Sequence, residues 1–242
     1  MNSPLDVRIE ALLGGWAPAL GRPTCGPGCD RCCRRMTVLM TSAEAVRLVE
    51  GLRARPDFEA VRGVIGRRIA ALQRALPASP EQALNALLDL GPCVFLDNRN
   101  CGVHAHRPDG CRAAYVWHEA WYCGRPDYDQ CVPAELIHAR IDRALALTLE
   151  EMDAGRRPYW GQILPAVWVM LEHGEAYAAG ADLAQWLDPM WIEAELVELP
   201  SREHVLAEHA AQARAFEQED FPFGAPRGSE CASREDLRAF GQ

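Results

Sequence analysis

The chain has 242 residues, of which 49% are hydrophobic and 24% are charged, a balance that is typical of globular proteins and excludes a disordered or low-complexity chain. All 25 basic residues are arginine, which excludes enzymes that need a phosphate-loop lysine or a lysine Schiff base. The net charge is −9, and residues 132–242 hold 9 arginines against 20 acidic residues, so we do not expect nucleic acid as a partner.

Apolar spacing and helix-capping signals predict that most of the chain is helical. Thr41 and Glu44 form a capping-box sequence at the start of one helix, whereas residues 16–37 are rich in proline and glycine and predict a loop around the first cysteines. The predicted helices cover residues 4–14 and 42–54, a stretch after Pro56 with apolar residues from Val61 to Leu76, the segment from Ser79 to Gly91, and a long run from Pro133 to about Glu151.

Two short segments interrupt the helical pattern. The segment from Cys93 to His104 has turn residues at Asp97–Asn100 between two short apolar stretches, which predicts a β-hairpin. Arg107–Gly110 contains the sequence Arg-Pro-Asp-Gly, which predicts a turn, and we expect no further role for Asp109 and Gly110.

The part of the chain after residue 150 has a different character. It alternates short helical stretches with proline and glycine, and it ends in an acidic helix from Ser201 to about Phe216 and a loose tail over residues 219–242. The predicted fold is therefore mainly α with a small β-hairpin. Residues 1–150 are expected to form an irregular cysteine-rich metal-binding domain, and residues 151–242 an acidic helical C-terminal extension.

The N-terminus has neither the basic nor the apolar segment of a signal peptide. The longest apolar run, Ile163–Leu171, is too short to span a membrane. We therefore expect a cytoplasmic protein without a membrane partner. Ten cysteines in a reducing compartment predict metal ligands or redox groups in preference to disulfides.

The cysteines have the spacing of metal ligands, because gaps of two or three residues let one turn of backbone direct several sulfurs to one point. Thiolates are soft ligands that select zinc, Cu(I) or iron–sulfur iron. The adjacent Cys32 and Cys33 are expected to diverge, and thus to bind two metals or two irons of one cluster. Eight cysteines would fill two four-coordinate sites in a polynuclear centre: Cys25, Cys29, Cys32, Cys33, Cys93, Cys101, Cys111 and Cys131.

Three motifs follow one another: Cys29-Asp-Arg-Cys32-Cys33, then Cys93-Val-Phe-Leu, then Cys101-Gly-Val-His-Ala-His-Arg107-Pro108-Asp-Gly-Cys111-Arg112. In this order they resemble the YkgJ-type cysteine-cluster family, which is described as a zinc- or iron-chelating domain. The resemblance covers about residues 22–135. It implies that the ligands are Cys25, Cys29, Cys32, Cys33, Cys93, Cys101 and Cys111, with Cys131 as a further candidate.

The chain departs from the family pattern at two positions, since three residues separate Cys25 from Cys29 where the family has two, and His104 stands where the family has tyrosine. His104 and His106 are candidates for an extra ligand or a hydrogen-bonding neighbour. Arg107 and Arg112 are candidates for donating hydrogen bonds to coordinated sulfur, with surface charge as the alternative. Cys123 is a candidate for a spare or exchangeable ligand.

Two functions stay open. The first is a metal-binding protein in which zinc or an iron–sulfur cluster, such as a 4Fe-4S cluster, serves structure, sensing or metal handling. The second is an iron-dependent redox or peptide- or protein-modifying enzyme with an open metal position, a protein or peptide partner, and His104 or His106 as the first candidate ligand. The spacing Cys25-x3-Cys29-x2-Cys32 is also that of radical S-adenosylmethionine enzymes, but Arg31 replaces the usual aromatic residue and no βα-barrel pattern follows.

Overall fold

The computed structural model of the protein describes residues 4–20, 22–26, 28–35, 37–75, 79–116, 134–186, 202–203, 205–207 and 210–211. Its helices are α1 (Pro4–Leu20), α2 (Arg31–Arg35), α3 (Ser42–Arg53), α4 (Phe58–Ala75), α5 (Pro80–Asp89), α6 (Asp109–Arg112), α7 (Ala134–Asp153) and α8 (Ile163–Ala178), and 3-10 turns occupy His104–His106 and Leu183–Gln185. Its strands β1 (Leu39–Thr41), β2 (Leu96–Asp97), β3 (Asn100–Cys101) and β4 (Trp160–Gln162) form two antiparallel pairs, β1 with β4 and β2 with β3. The predicted mainly helical fold with a small hairpin is confirmed.

Helices α3, α4 and α8 pack around the larger hydrophobic core. Leu48 of α3, Ile65 of α4 and Val167 of α8 are fully buried in it. Burial of one such side chain contributes about 1.5–3 kcal/mol, so each of the three helices stabilises the other two. Phe95 and Val103, which flank the β2–β3 hairpin, are buried in the same core and attach the hairpin to the helices.

A second, smaller cluster joins the N-terminal helix to α7. Leu5 and Ile9 of α1 pack with Leu136 and Ala139 of α7, and Ala113, which follows α6, belongs to the same cluster. The positions of α1 and α6 are therefore coupled to α7, although α7 follows them by more than twenty residues in the sequence.

Strand β1 leads directly into α3 and fixes its first turn. The Thr41 side chain accepts a hydrogen bond from the Glu44 N–H (3.2 Å), and the Glu44 carboxylate accepts one from the Thr41 N–H (2.7 Å). This arrangement satisfies two backbone donors at the start of the helix, and it confirms the predicted capping box. Next along the chain, the Ser42 N–H donates to the Tyr159 carbonyl (2.7 Å), which extends the β1–β4 pairing.

A buried polar network links α3, α7 and α8. The Glu151 carboxylate accepts hydrogen bonds from the hydroxyls of Ser42 (2.6 Å) and Tyr177, and the Ser42 hydroxyl accepts one from the Tyr159 N–H (3.0 Å). Burial is the main cause that raises the pKa of both Glu151 and Tyr177. The network thus ties three helices together through groups whose charged forms are disfavoured by their surroundings.

The structure departs from the predicted elements in three places. Helix α1 continues through Gly14 and Gly15 to Leu20, despite the low helix propensity of glycine. Helix α2 lies within the predicted loop over residues 16–37. The region expected to contain short helices after residue 150 includes one helix of 16 residues, α8.

The predicted domain division at residue 150 falls inside α7, and the larger core contains residues from both sides of it; the division itself stays a prediction. Pro133 and the tail over residues 219–242 lie outside the described residues. In the expected last helix, residues 202–203, 205–207 and 210–211 are helical. None of the helices in the described part of the chain has the length and apolar character needed to cross a membrane.

Candidate metal centre

Three separate stretches of the chain carry the candidate cysteines near the hairpin. Cys32 and Cys33 lie on the short helix α2, Cys101 ends strand β3, and Cys111 lies on α6. The Cys93 N–H donates a hydrogen bond to the Cys33 carbonyl (2.6 Å), which fixes the loop before the hairpin against α2. The predicted convergence of these stretches therefore has a direct backbone contact.

The β2–β3 hairpin holds two of the cysteines in matching surroundings. Its tight turn is formed by Asn98 (φ 48°) and Arg99 (φ 67°), in keeping with the positive φ values that a two-residue type I′ turn requires. Before the turn, the sulfur of Cys93 accepts a hydrogen bond from the backbone N–H of Phe95. After it, the sulfur of Cys101 accepts one from the Val103 N–H two residues further on.

These two N–H to sulfur contacts stabilise thiolates. A donor aimed at sulfur favours the charged form of the thiol. Each donor belongs to an apolar residue that is buried in the larger core, Phe95 or Val103, so the direction of the N–H is set by packing. In both places, burial of the apolar residue two positions after the cysteine thus orients a backbone N–H toward the cysteine sulfur.

Cys32 and Cys33 interact directly. The pKa of Cys32 is lowered to about 6, first because the Cys33 thiol donates a hydrogen bond to its sulfur, with further donation from backbone N–H groups and the positive charge of Arg107. The pKa of Cys33 is raised, first by the same hydrogen bond and then by burial. Both residues lie on helix α2, and the expectation that they bind two metals or two irons of one cluster stays a prediction.

The other thiols are held in their neutral form by burial. Burial raises the pKa of Cys93 to about 11, and it also raises the pKa values of Cys101 and Cys111. The negative charges of neighbouring thiolates add to the rise: Cys101 and Cys32 act on Cys93, and Cys93 and Cys32 act on Cys111. Cys93 and Cys111 also act on Cys33. The five thiols are therefore close enough for the charge of one to affect the pKa of the others.

This donor set fits a soft metal ion. Several partly buried thiolates cannot ionise side by side without a nearby cation, and a metal that binds them supplies the required charge. Within the described residues, no three such side chains already meet closely enough to ligate one ion. Joint binding of one ion by three of these thiols would therefore require the sulfurs to lie closer together than they do in this structure.

The remaining candidate cysteines are placed less fully. Cys25 and Cys29 lie on the loop before α2, where the Cys29 N–H donates to the Gly26 carbonyl (3.0 Å). Cys123 and Cys131 lie outside the described residues. None of the seven described cysteines is joined in a disulfide.

Arginine side chains surround the thiols. The charge of Arg107 helps to lower the pKa of Cys32 and offsets part of the rise that burial causes in the pKa values of Cys101 and Cys111. A hydrogen bond from Arg107 to metal-bound sulfur stays a prediction. Arg55 acts on Cys101 in the same way and donates to the Gly102 carbonyl. Arg68 lowers the pKa of Cys93 and, from α4, donates to the Pro92 carbonyl.

Arg112 secures the segment that carries Cys111. Its guanidinium forms an ion pair with Asp6 of α1 (2.8 Å) and donates to the carbonyls of Arg107 (3.0 Å) and Ala105. These bonds join α1 to the chain between the hairpin and α6. A bond from Arg112 to a metal-bound sulfur stays a prediction.

The two candidate histidines differ in their surroundings. His104 is exposed, and the charge of Arg107 is the first cause that lowers its pKa. The ring of His106 lies directly over Gly51 of α3, where a methyl group would collide with it. The 3-10 turn that carries both histidines is therefore held against α3, and a ligand role for either one stays a prediction.

Asp109 has a role that the predicted turn did not suggest. It begins α6, two residues before Cys111, and its side chain is only 2% exposed. Its N–H donates to Glu44 (2.6 Å), and its carboxylate faces Arg47 at 3.5 Å and Arg112 at 3.6 Å. The expectation of a turn without a further role for Asp109 is wrong, because Asp109 begins a helix and its buried carboxyl group, whose pKa is raised by burial, lies between two arginines.

Comparison with known proteins places the cysteine-rich part of the chain. Residues 24–130 match the family model CxxCxxCC, described as "Putative zinc- or iron-chelating domain", and this match confirms the resemblance to a cysteine-cluster family. Comparisons with curated proteins and with solved structures found no significant match. The matched residues include α2, the hairpin and α6, where the five interacting thiols lie. Residues 24–130 are therefore similar to a zinc- or iron-chelating domain, and this similarity supports metal binding by this part of the chain.

Proposed function

We propose that Cys32, Cys33, Cys93, Cys101 and Cys111 bind a polynuclear metal centre of the zinc or iron–sulfur type. The observation that carries this proposal is the match of residues 24–130, which hold all five cysteines, to a zinc- or iron-chelating family model, and the backbone contact between Cys93 and Cys33 supports it. Five sulfurs exceed the four positions of one tetrahedral ion. Two ions or a multi-iron cluster would use the whole donor set.

The chemistry of the donors narrows the choice of metal. Thiolates favour zinc, Cu(I) and iron–sulfur iron over magnesium and calcium. A centre with four or more thiolates is anionic, and the neighbouring cations of Arg55, Arg68 and Arg107 offset that charge. Cys25, Cys29 and Cys131 are proposed as further ligands, because they come from the same motif region of the sequence.

The test is the metal content and colour of the full chain after anaerobic purification. A zinc centre is expected to give a colourless protein with stoichiometric zinc, and an iron–sulfur centre a brown protein with charge-transfer bands in the visible range. Cys93→Ser and Cys101→Ser are each expected to lose most of the metal. The matched control is Cys231→Ser, outside the family match, which is expected to keep it.

Two outcomes would overturn the proposal. One is a wild-type protein that holds no zinc or iron after anaerobic purification and does not take either metal up from solution. The other is unchanged metal content in both Cys93→Ser and Cys101→Ser. Circular dichroism of each variant separates loss of a ligand from loss of the fold.

A second candidate function is an iron-dependent redox or peptide-modifying enzyme. It is favoured by His104, which is exposed and lies close enough to Arg107 for their charges to interact, because an enzyme needs a metal position that solvent or substrate can reach. Azide added to the iron-loaded protein should shift the visible spectrum if such a position exists, and His104→Ala should change that shift. A spectrum that azide leaves unchanged favours a closed, non-catalytic centre.

A further inference from the structure

Two arginines outside the cysteine motifs bind the backbone beside the two cysteines of the β2–β3 hairpin. Arg68 of α4 donates a hydrogen bond to the carbonyl of Pro92, the residue directly before the first hairpin cysteine. Arg55, which lies shortly after the end of α3, donates to the carbonyl of Gly102, the residue directly after the second. Both arginines therefore contact a peptide group next to a candidate ligand.

The peptide group between Gly102 and Val103 connects Arg55 to a sulfur. Its carbonyl accepts the hydrogen bond from Arg55, and its N–H, that of Val103, donates to the sulfur of Cys101. Because a peptide group is planar, a bond that fixes the direction of the carbonyl also fixes the direction of the N–H. Hydrogen bonds joined in this way also polarise and strengthen one another. Arg55 thus supports the bond to sulfur together with the burial of Val103.

The peptide group between Pro92 and Cys93 connects Arg68 to α2 in the same way. Its carbonyl accepts the hydrogen bond from Arg68, and its N–H donates to the Cys33 carbonyl (2.6 Å). Helix α4 is therefore joined through one peptide group to α2, which carries two further candidate ligands. Arg68 thus helps to hold two cysteine-bearing stretches next to each other.

Arg55 is held in one orientation. Its Nε and Nη2 atoms donate to the two carboxylate oxygens of Asp57 (2.8 and 2.7 Å), which fixes the plane of the guanidinium and leaves Nη1 for the Gly102 carbonyl. A methyl group at Gly102 would collide with this guanidinium. The positive φ values among the described glycines lie at other positions. Glycine at position 102 therefore makes room for Arg55 and is not required by the backbone conformation.

We propose that Arg55 and Arg68 are positioning residues of the metal centre, each of which fixes a peptide group that holds a cysteine sulfur or the backbone of α2 in place. The inference rests on the proposed function, since it assigns a role around the same thiols. Neither arginine is a candidate ligand, because a guanidinium carries only hydrogen-bond donors.

The test is an anaerobic titration of the metal-free full chain with Co²⁺, whose thiolate-to-cobalt charge-transfer bands respond to the electron density on the bound sulfurs. Arg55→Met removes the donor to the Gly102 carbonyl and keeps a long side chain. It should weaken Co²⁺ binding by about tenfold, at the lower end of the range for groups that orient metal ligands. It should also shift the charge-transfer bands to longer wavelength, because the Cys101 sulfur then accepts a weaker hydrogen bond.

Arg68 should give a different signature. Arg68→Met should also weaken Co²⁺ binding by about tenfold, but without the shift to longer wavelength, because its peptide group donates to a carbonyl and not to sulfur. Arg68→Lys keeps both the charge and a donor for the Pro92 carbonyl, and it should restore the binding of the wild type. Arg68→Lys that binds Co²⁺ as weakly as Arg68→Met would overturn the role of Arg68.

Gly102→Ala separates the contact with Arg55 from its charge. It keeps every arginine, but the added methyl group displaces the guanidinium, which ends a flexible side chain and is able to move. It should reproduce the weaker binding and the band shift of Arg55→Met. The double variant should bind no more weakly than either single variant, because both changes break the same hydrogen bond. Arg62→Met, which removes an arginine of α4 that pairs with Glu172 (2.8 Å), is the matched control and should leave binding and spectrum unchanged.

The inference is overturned if Arg55→Met and Gly102→Ala bind Co²⁺ as tightly as the wild type, if their losses add in the double variant, if Arg62→Met weakens binding equally, or if the wild type takes up no Co²⁺. The zinc and iron content of the purified protein tests the proposed function separately, so the two failures are distinguishable. Circular dichroism of each metal-free variant shows whether the fold is kept. If Arg55→Met fails to fold, Gly102→Ala decides the question.

Discussion

Replacing Glu151 by glutamine is expected to make the stability of the protein less sensitive to pH. Glu151 is 2% exposed and lies in the buried network with Ser42 and Tyr177. Burial raises its pKa, so the folded state keeps the carboxyl proton up to a higher pH than the unfolded state does. Between the two pKa values the folded state binds more protons, and the free energy of unfolding therefore falls as pH rises. Glu151→Gln has no proton to lose at this position.

The size of the effect follows from the contacts. A difference of one bound proton changes the free energy of unfolding by at most about 1.4 kcal/mol per pH unit. Near pH 4, where Glu151 is protonated in both states, glutamine is close in shape to the neutral acid and the variant should differ little from the wild type. As pH rises toward neutrality, the variant should become progressively more stable relative to the wild type.

Urea unfolding at several pH values between about 4 and 8 measures this difference, with metal content checked at each pH. Tyr177→Phe is the matched comparison. It removes a buried hydroxyl that donates to Glu151, so it should cost about 1–3 kcal/mol, and the cost should grow with pH as the carboxylate loses a donor. A stability difference between Glu151→Gln and the wild type that is constant or falls with rising pH would refute the reasoning.

Three other substitutions test the parts of the fold that hold the centre. Thr41→Ala removes the buried cap of α3 and should lower the free energy of unfolding by about 1–2 kcal/mol in urea titrations, whereas Ser79→Ala at the more exposed cap of α5 should cost less. Gly51→Ala should lower the free energy of unfolding by about 1–3 kcal/mol, because the added methyl group collides with the ring of His106. Gly63→Ala in α4 is the control: the nearest atom to the added methyl group lies at 3.5 Å, so this variant should be as stable as the wild type or more stable. Equal losses of stability in the two variants would contradict the collision. Arg112→Met breaks a largely buried ion pair, so it should cost about 3 kcal/mol and reduce metal content; an unchanged urea midpoint would count against this role.

Elements that depend on nearby residues were predictable from the sequence. Ser79 caps α5 through the Gln82 N–H (3.3 Å), and Gly91 (φ 89°) follows the end of that helix, as the local signals indicate. The hairpin turn was predictable for the same reason. Helix α1 was predicted too short, because glycine at two positions weakens the local helix signal.

In the candidate site too, features set by nearby residues were predictable and features set by distant contacts were not. The spacing of the cysteines identifies the candidate metal ligands, because a metal-binding motif consists of residues that are close together in the sequence. Arg55 and Arg68 were missed, since they lie on or beside helices far from the cysteines in sequence and come close to them only through packing. Phe95 and Val103 each follow a cysteine by two positions, and this repeated spacing is visible in the sequence. Its structural role could not be predicted, because it depends on the burial of both side chains in the core.

Glu44 shows why local and distant structure are hard to separate in this domain. One of its carboxylate oxygens accepts from the Thr41 N–H (2.7 Å) and completes the capping box of α3, and the other accepts from the Asp109 N–H (2.6 Å) at the start of α6. The first bond joins two residues within one turn of the chain and is predictable from the local sequence, whereas the second joins residues 65 positions apart. Because α6 carries Cys111, the side chain that starts α3 also sets where a candidate ligand lies. A helix cap thus also supports the segment that carries Cys111, and we expect Glu44→Gln to disturb that segment as well as the start of α3.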